Sequence, residues 1–347
     1  MSKSLSYQSQ LRADKIEKLK ELQKVLPVYT HPYLDSMRVD YQPNTLIAYA
    51  RDLITFFSYL KDNNPTLKDV ELKDIPLNVL DSLSVQDIIE YRNYLSYTKG
   101  KHSNQPSSIA RRLAPLRGFF ESANDLGYLH NNPTVNRMGL RNKKADKREI
   151  VYMEPEEVRQ FVNITENSRL TSERQQKFAE KTQLRDTAIT TLLLNTGIRV
   201  SECVGIDIDD LNFYDNSVVI TRKGGASQII YFSDRVAGSL EDYIRIERPK
   251  YMADKDEKAL FLSLKKKRMS VRSIEYMVKK YAREAVPGKK ITPHKLRSTY
   301  GTALYDETGD INLVAAVLGH ESIETTAKHY AALKEKHRKD AGRINLY

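Results

Sequence analysis

Apolar residues recur at helical spacing in long blocks along this chain, broken by polar turns, and the pattern predicts a mainly helical protein. Leu46, Tyr49, Leu53, Phe56, Phe57 and Leu60 share one helical face, and Asn63-Asn64-Pro65 ends that helix. Residues 66–83 show little periodicity and read as a loop-like insert. Ser84 and Asp87 are spaced as a capping signal for a helix through Tyr97, with Ile88, Tyr91 and Leu95 inward. A polar loop from Lys99 to Ser107 precedes another stripe, Ile109, Leu113, Leu116, Phe119 and Phe120, in a helix that Pro115 is expected to kink. Asn131-Asn132-Pro133 closes this block, and the thin stripe Leu19, Leu22 and Leu26 makes residues 1–27 an amphipathic N-terminal arm.

Beyond residue 149 the pattern changes to α+β. Met153-Glu-Pro-Glu-Glu157 opens a helix, and the dense apolar run within 184–195 predicts a buried one. Residues 212–232 alternate as strands, with Gly224-Gly225 as a hairpin turn between them. Helices follow at 236–246 and 270–282. Thr292-Pro293 starts another, Leu313, Val314, Val317 and Leu318 keep helical spacing, and Gly319 reads as a stop. A new helix after His320 would carry Tyr330 in its third turn, and Ala331 to Tyr347 forms a tail. The expected organisation is therefore an arm at 1–27, a helical domain at 28–135, a linker at 136–148 and a second domain at 149–347. The fold class is mainly α in two domains, the second with a small antiparallel sheet.

Charge narrows the partners. The chain of 347 residues has a net charge of +11, which favours a polyanion. Residues 137–148 hold six basic residues against one acid, among them Arg141, Lys143 and Lys144, and read as a linker that can follow a DNA backbone. Arg111, Arg112 and Arg117 are phosphate-binding candidates on the helical domain, or a solvated face; Lys265 to Arg268 carries the same two readings. One cysteine, Cys203, fits a reducing compartment, and no apolar run approaches the ~20 residues of a membrane span. The expected location is the cytoplasm. Asp207, Asp209 and Asp210 read as turn acids rather than metal ligands, and no Gly-rich phosphate loop is present, which argues against an ATP-driven machine.

The remaining signal is a set of residue types. His294 and Arg297 stand at i and i+3 on one helical face. H-K-L-R at 294–297, L-G-H at 318–320 and Tyr330 resemble the second signature block of the tyrosine site-specific recombinases, the phage-integrase and Xer family. N-T-G-I-R-V-S-E at 195–202 is similar to the first block and supplies Arg199, and the hairpin between the blocks supplies Lys223. The resemblance covers about residues 40 to 335. It implies a SAM-like helical core-binding domain, a catalytic domain, and no metal or other cofactor.

It also implies roles. Two guanidiniums neutralise the non-bridging oxygens of a phosphodiester as charge builds at phosphorus, and Arg199 and Arg297 fit that task. Tyr330 would be the nucleophile, forming a 3′-phosphotyrosyl link that keeps the bond energy and needs no ATP. His294 and His320 would donate to phosphate oxygens or move protons, and Lys223 would protonate the leaving 5′-oxygen. The implied partners are double-stranded DNA with a specific recombination site, a homo-tetramer on two such sites, and an accessory protein. Overall order is most like single-protein Xer-type enzymes, which implies chromosome dimer resolution. Two departures from the Xer pattern matter: Ser298 stands where Xer proteins usually carry a second histidine, and the interval from His320 to Tyr330 is one residue longer than their usual spacing; T-T-A-K-H-Y at 325–330 resembles integrases of mobile elements more closely.

Overall fold

The computed structural model describes residues 7–97, 105–135, 151–222 and 224–319, together with Ile323 and Ala327. The chain divides into two compact units, Met1–Arg148 and Glu149–Tyr347.

The first unit is helical: α1 (Tyr7–Gln23), α2 (His31–Ser36), α3 (Pro43–Asn63), α4 (Leu77–Asp81), α5 (Val85–Tyr97) and α6 (Pro106–Asp125). Rings fill its centre. Phe56 packs edge-on to Tyr91 with centroids 5.0 Å apart, and Phe119 and Phe120 on α6 meet Phe57 and Phe56 of α3. Such pairs add to the area they bury because ring edges are electropositive and faces electronegative. The arm is not detached from this core. Leu19 and Leu26 are buried, Leu22 packs on the same cluster, and α1 lies against α3.

Local signals explain several boundaries. Ser84 and Asp87 close the expected cap, with the Ser84 backbone N–H and hydroxyl both donating to Asp87 Oδ2 at 2.7 and 2.6 Å. The 66–83 insert is more ordered than its pattern suggests. Two 3₁₀ turns, Pro65–Leu67 and Leu72–Asp74, and the short α4 bury Leu67, Ile75 and Leu80. Elements this short complete too few turns to display a period. α6 runs as one element across Pro115, itself buried among the apolar residues of the helix.

The second unit contains α7 (Pro155–Glu166), α8 (Glu173–Lys181), α9 (Gln183–Thr196), α10 (Val200–Gly205), strands β1 (Leu211–Asn212), β2 (Ser217–Thr221) and β3 (Ser227–Tyr231), then α11 (Asp234–Asp242), α12 (Val271–Ala285), α13 (Pro293–Thr308) and α14 (Ile311–Leu318). α9 is the central helix, with α7, α11 and α13 packed on it. Its Ala188, Ile189, Leu192 and Leu193 are fully buried, which is why it reads as a continuous apolar run rather than a stripe. α8 escapes a reading from the sequence because Ala179 is its one buried residue.

The sheet is antiparallel in the order β1-β2-β3, with Val219 opposite Ile229. Val218, Ile220 and Ile230 face inward while Val219 and Ile229 are exposed, the period-two pattern of a one-sided sheet. The β2–β3 turn closes when Arg222 N–H donates to Ala226 O at 2.8 Å and Gly225 N–H to Arg222 O at 3.0 Å. α11 is extended by a wide turn over Tyr243–Glu247 and a 3₁₀ turn over Arg248–Tyr251. α13 and α14 are separate helices. Gly309 turns left-handed at φ +65°, and the Asp310 carboxylate caps α14 by accepting from Asn312 N–H at 2.8 Å and Leu313 N–H at 3.2 Å. Among the described residues no helix is long and apolar enough to cross a membrane.

Candidate active site

The site is assembled at the C-terminal end of α14, from side chains that come from three other parts of the second unit. α9 stops at Gly197, left-handed at φ +62°, and two residues later Arg199 takes the cap position of α10. The buried Glu202, three residues on, accepts from Arg199 twice: from its backbone N–H at 2.7 Å and from Nη1 at 2.9 Å. Arg199 Nη2 donates to Gly319 O at 3.1 Å, and about a third of the side chain, 34%, remains exposed. One edge of this guanidinium is thus fixed while the group still faces solvent.

Arg297 comes from the first turns of α13 and is 4% exposed. Its Nη1 donates to Gly197 O at 2.6 Å, and its Nη2 donates to Leu318 O. The other end of that helix start is His294, exposed to solvent and one turn before Arg297. Burial, followed by the positive charges of Lys295, Arg297 and Arg199, holds the His294 imidazole below the ordinary histidine value. A neutral ring at physiological pH can donate from one nitrogen and accept at the other.

A third arginine enters from the hairpin. Arg222 Nη1 donates to Glu202 Oε2 at 2.9 Å, Nη2 to Val317 O at 2.9 Å and Nε to Gln228 Oε1 at 2.6 Å. Val317, Leu318 and Gly319 therefore give three successive carbonyls to three different guanidiniums. The last carbonyls of a helix have no partner within it and carry the negative end of the dipole, so cations are drawn there. Gly319 is needed for two reasons: its φ is +60°, and a Cβ there would sit 3.0 Å from Arg222 Cζ.

The structure thus brings Arg199, Arg297 and His294 together. Lys223, His320 and Tyr330 lie outside the described residues, although Lys223 directly follows Arg222 and His320 directly follows Gly319. Arg222 and its contact with Glu202 were missed from the sequence. The available signal was slight: a basic pair at a hairpin turn, and an acid three residues after the first arginine.

The basic candidates fare unevenly. Arg111 Nη1 donates to the buried Asp52 at 2.9 Å while half its side chain stays exposed, so it also serves the fold of the first unit. Arg112 is partly buried, and Arg117 lies on the same helix. Arg141, Lys143 and Lys144 lie outside the described residues. Of the basic run 265–268, Arg268 turns inward, donating to Val204 O at 2.9 Å and Ile206 O at 3.0 Å and pairing with Asp207, while Lys265, Lys266 and Lys267 remain exposed. Of the three turn acids, Asp207 and Asp210 are engaged locally, with Asp210 accepting from Asp207 N–H at 2.8 Å.

Comparison with known proteins identifies the family. Residues 151–337 match the phage integrase family, and residues 32–125 match its N-terminal SAM-like domain. Tyrosine recombinase XerC of Caldanaerobacter subterraneus subsp. tengcongensis is 34% identical over 293 residues, covering 82% of this chain and 76% of that protein. Tyrosine recombinase XerS of Streptococcus mutans is 33% identical over 337 residues, covering 90% of this chain and 93% of that protein. In fold, the chain is similar to XerH site-specific recombinase bound to a palindromic difH substrate, with a TM-score of 0.65 at 18% identity over 89% of this chain and 82% of that one. The Tn1549 transposon integrase in complex with circular intermediate DNA gives 0.60 at 19% identity over 88% and 95%. With both domain types present in order and curated relatives matched over most of their length, the chain belongs to the phage integrase family and is a tyrosine recombinase.

Proposed function

We propose that this enzyme cuts and rejoins DNA at a specific site through a 3′-phosphotyrosyl intermediate on Tyr330, without metal or ATP. The observation that carries the reading is the pairing of Arg199 and Arg297 at one helix end, with about a third of Arg199 open to solvent and His294 beside them. Such a cluster is built for an anion with more than one oxygen to satisfy. The Tyr330 oxygen attacks phosphorus, its proton passing to a histidine of the site. The bond from phosphorus to the 5′-oxygen breaks, and Lys223 gives that oxygen a proton as it leaves. Rejoining reverses the step with a 5′-hydroxyl from the other duplex.

Both units grip the same duplex, with the 136–148 linker along its backbone, and four copies act on two sites, as strand exchange between two duplexes requires two active subunits per site. The role we favour is resolution of chromosome dimers, supported by relatives named XerC and XerS. Integration or excision of a mobile element uses the same chemistry and is favoured by Ser298 and by the longer interval from His320 to Tyr330. Mapping bound DNA across a genome separates the two roles, since one predicts a single chromosomal locus and the other the ends of an element.

The chemistry is tested by Tyr330→Phe, which removes one hydroxyl. The variant binds its site with unchanged affinity but forms no denaturant-stable, protease-sensitive DNA adduct, whereas the wild-type enzyme forms that adduct in EDTA. An adduct in the variant removes Tyr330 from the role, and a strict requirement for a divalent cation removes the mechanism.

A further inference from the structure

We infer that Arg222 is a positioning residue, which sets the place of Lys223 and His320 rather than meeting the phosphodiester itself. The inference rests on the proposed strand-cleavage chemistry and adds to it a residue that the family motifs in this sequence do not single out.

Every donor edge of Arg222 is directed into the protein. Nε is bound to Gln228 on β3 at 2.6 Å, Nη1 to Glu202 on α10 at 2.9 Å and Nη2 to Val317 O on α14 at 2.9 Å. Its side chain is 9% exposed, against 34% for Arg199. Burial does not by itself set Arg222 apart, since Arg297 is 4% exposed; its three nitrogens are spent on three different elements, α10, α14 and β3, and a guanidinium so placed ties those elements together.

What it ties together is specific. Its own backbone closes the turn from 222 to 226, so the residue that starts the turn is also the one anchored to α10 and α14. Lys223 is the next residue. Its guanidinium carbon and Nε lie against Gly319, close enough that a Cβ on Gly319 would be 3.0 Å from both. His320 is the residue after that. A single planar group therefore ties together the start of the turn at Arg222, the end of α14 at Gly319, and Glu202, which in turn holds Arg199. Two Gly residues at positive φ, Gly224 at +102° and Gly225 at +95°, follow Lys223, and among the described residues nothing lies within 4 Å of a Cβ built on either, so these residues give the turn no packing at those positions. The anchor at Arg222 supplies what the turn lacks.

Sulfur substitution tests this, because a 5′-bridging phosphorothioate has a leaving group that needs no proton. Suicide substrates with ordinary and sulfur-bridged linkages are cleaved by the wild type, Lys223→Ala, Arg199→Ala, Arg222→Gln and Arg222→Lys. General-acid help is worth roughly 10²–10⁴ in rate, so a misplaced acid loses about 10- to 100-fold of it. Arg222→Gln is expected to cleave ordinary DNA about 10- to 100-fold slower than the wild type and to return to within roughly 5-fold of it on the sulfur substrate. Arg222→Lys keeps the charge opposite Glu202 but cannot reach three partners, and it falls between the two.

Arg199→Ala gains little from sulfur. Site affinity and unfolding temperature of Arg222→Lys stay near the wild type, which makes the comparison independent of whether Arg222→Gln folds. If Lys223→Ala is rescued by sulfur and neither Arg222 variant is, Arg222 does not place the acid and the inference falls alone. If Lys223→Ala is not rescued either, the assignment of the acid falls and takes this inference with it. A full rate for Arg222→Lys on ordinary DNA also overturns it.

Discussion

Glu202 holds Arg199 at both ends, accepting from its backbone N–H at 2.7 Å and from its guanidinium at 2.9 Å. The same carboxylate is 4% exposed and also receives Arg222, so one buried charge orients two guanidiniums. Glu202→Ala leaves Arg222 buried without its counter-ion. It is expected to cost about 3–5 kcal/mol of stability in denaturant titration. Glu202→Gln keeps an acceptor for the cap and costs less. Both variants should lose more in cleavage rate than in site affinity, because Arg199 is misdirected rather than removed; a loss confined to affinity would show that the pair serves binding alone.

Gly197 is a second point where backbone and chemistry meet. Its carbonyl accepts from Arg297, its φ is +62°, and a Cβ would sit 2.4 Å from Tyr300 Cδ1. Gly197→Ala combines a left-handed alanine with a clash against a ring, and is expected to destabilise by at least about 2 kcal/mol. Gly238→Ala is the control, since nothing lies within 4 Å of its Cβ position in α11. Thermal unfolding should show the control unchanged or raised, by up to about 1 kcal/mol.

On the first unit, Arg111 and Arg117 should separate by assay. Burial pushes the Asp52 carboxyl up and the Arg111 guanidinium beside it pulls it back, so Arg111→Ala leaves a buried acid unpaired. It should lower stability by about 1–3 kcal/mol. If Arg117 meets a backbone phosphate, Arg117→Ala lowers the slope of log affinity against log salt by about 0.9. An unchanged slope would place Arg117 off the DNA.

Glu247 gives a pH signature. Burial raises its carboxyl to about 7, from an ordinary value of 4.5, even though its Oε2 accepts from Leu184 N–H at 2.9 Å. A raised carboxyl binds its proton more tightly folded than unfolded. Its contribution is therefore complete below the unfolded value and lost as pH rises through about 7. Glu247→Gln, which keeps an acceptor for Leu184, should remove that slope. The stability of the wild type relative to the variant is expected to fall by about 1–3 kcal/mol between about pH 5 and pH 8. Parallel curves for the two proteins would show that Glu247 is ionised in the folded state.

Long periodic segments were legible without a structure. α3, α5 and α12 each bury the apolar residues that their spacing selects, because side-chain direction in a helix is a local consequence of 3.6 residues per turn, and α9 was legible as a dense apolar run. The strands and their Gly-Gly turn were legible for the same reason, and the resemblance of 195–202 and 294–297 to the family's motifs named Arg199, His294 and Arg297. Short elements were not. α4, α8 and the break between α13 and α14 depend on one or two buried residues or on a single glycine, too little to make a period.

The sequence by itself determined that the long helices form, which residues of each are apolar, and that two arginine-bearing motifs and a lysine hairpin belong to one chain. Only the tertiary structure decided what those arginines do with their hydrogen bonds. Arg199 reaches a carbonyl 120 residues away, Arg222 one 95 away and Arg297 one 21 away, and all three carbonyls are successive at the end of α14. The same holds for Arg268, which reads as one more cation in a basic run yet turns inward to Val204 and Ile206. Periodicity reports how a residue relates to its neighbours within a few turns. A helix end left with unpartnered carbonyls can be satisfied by any donor that folding brings near it, and that choice is made by packing between elements far apart in the chain.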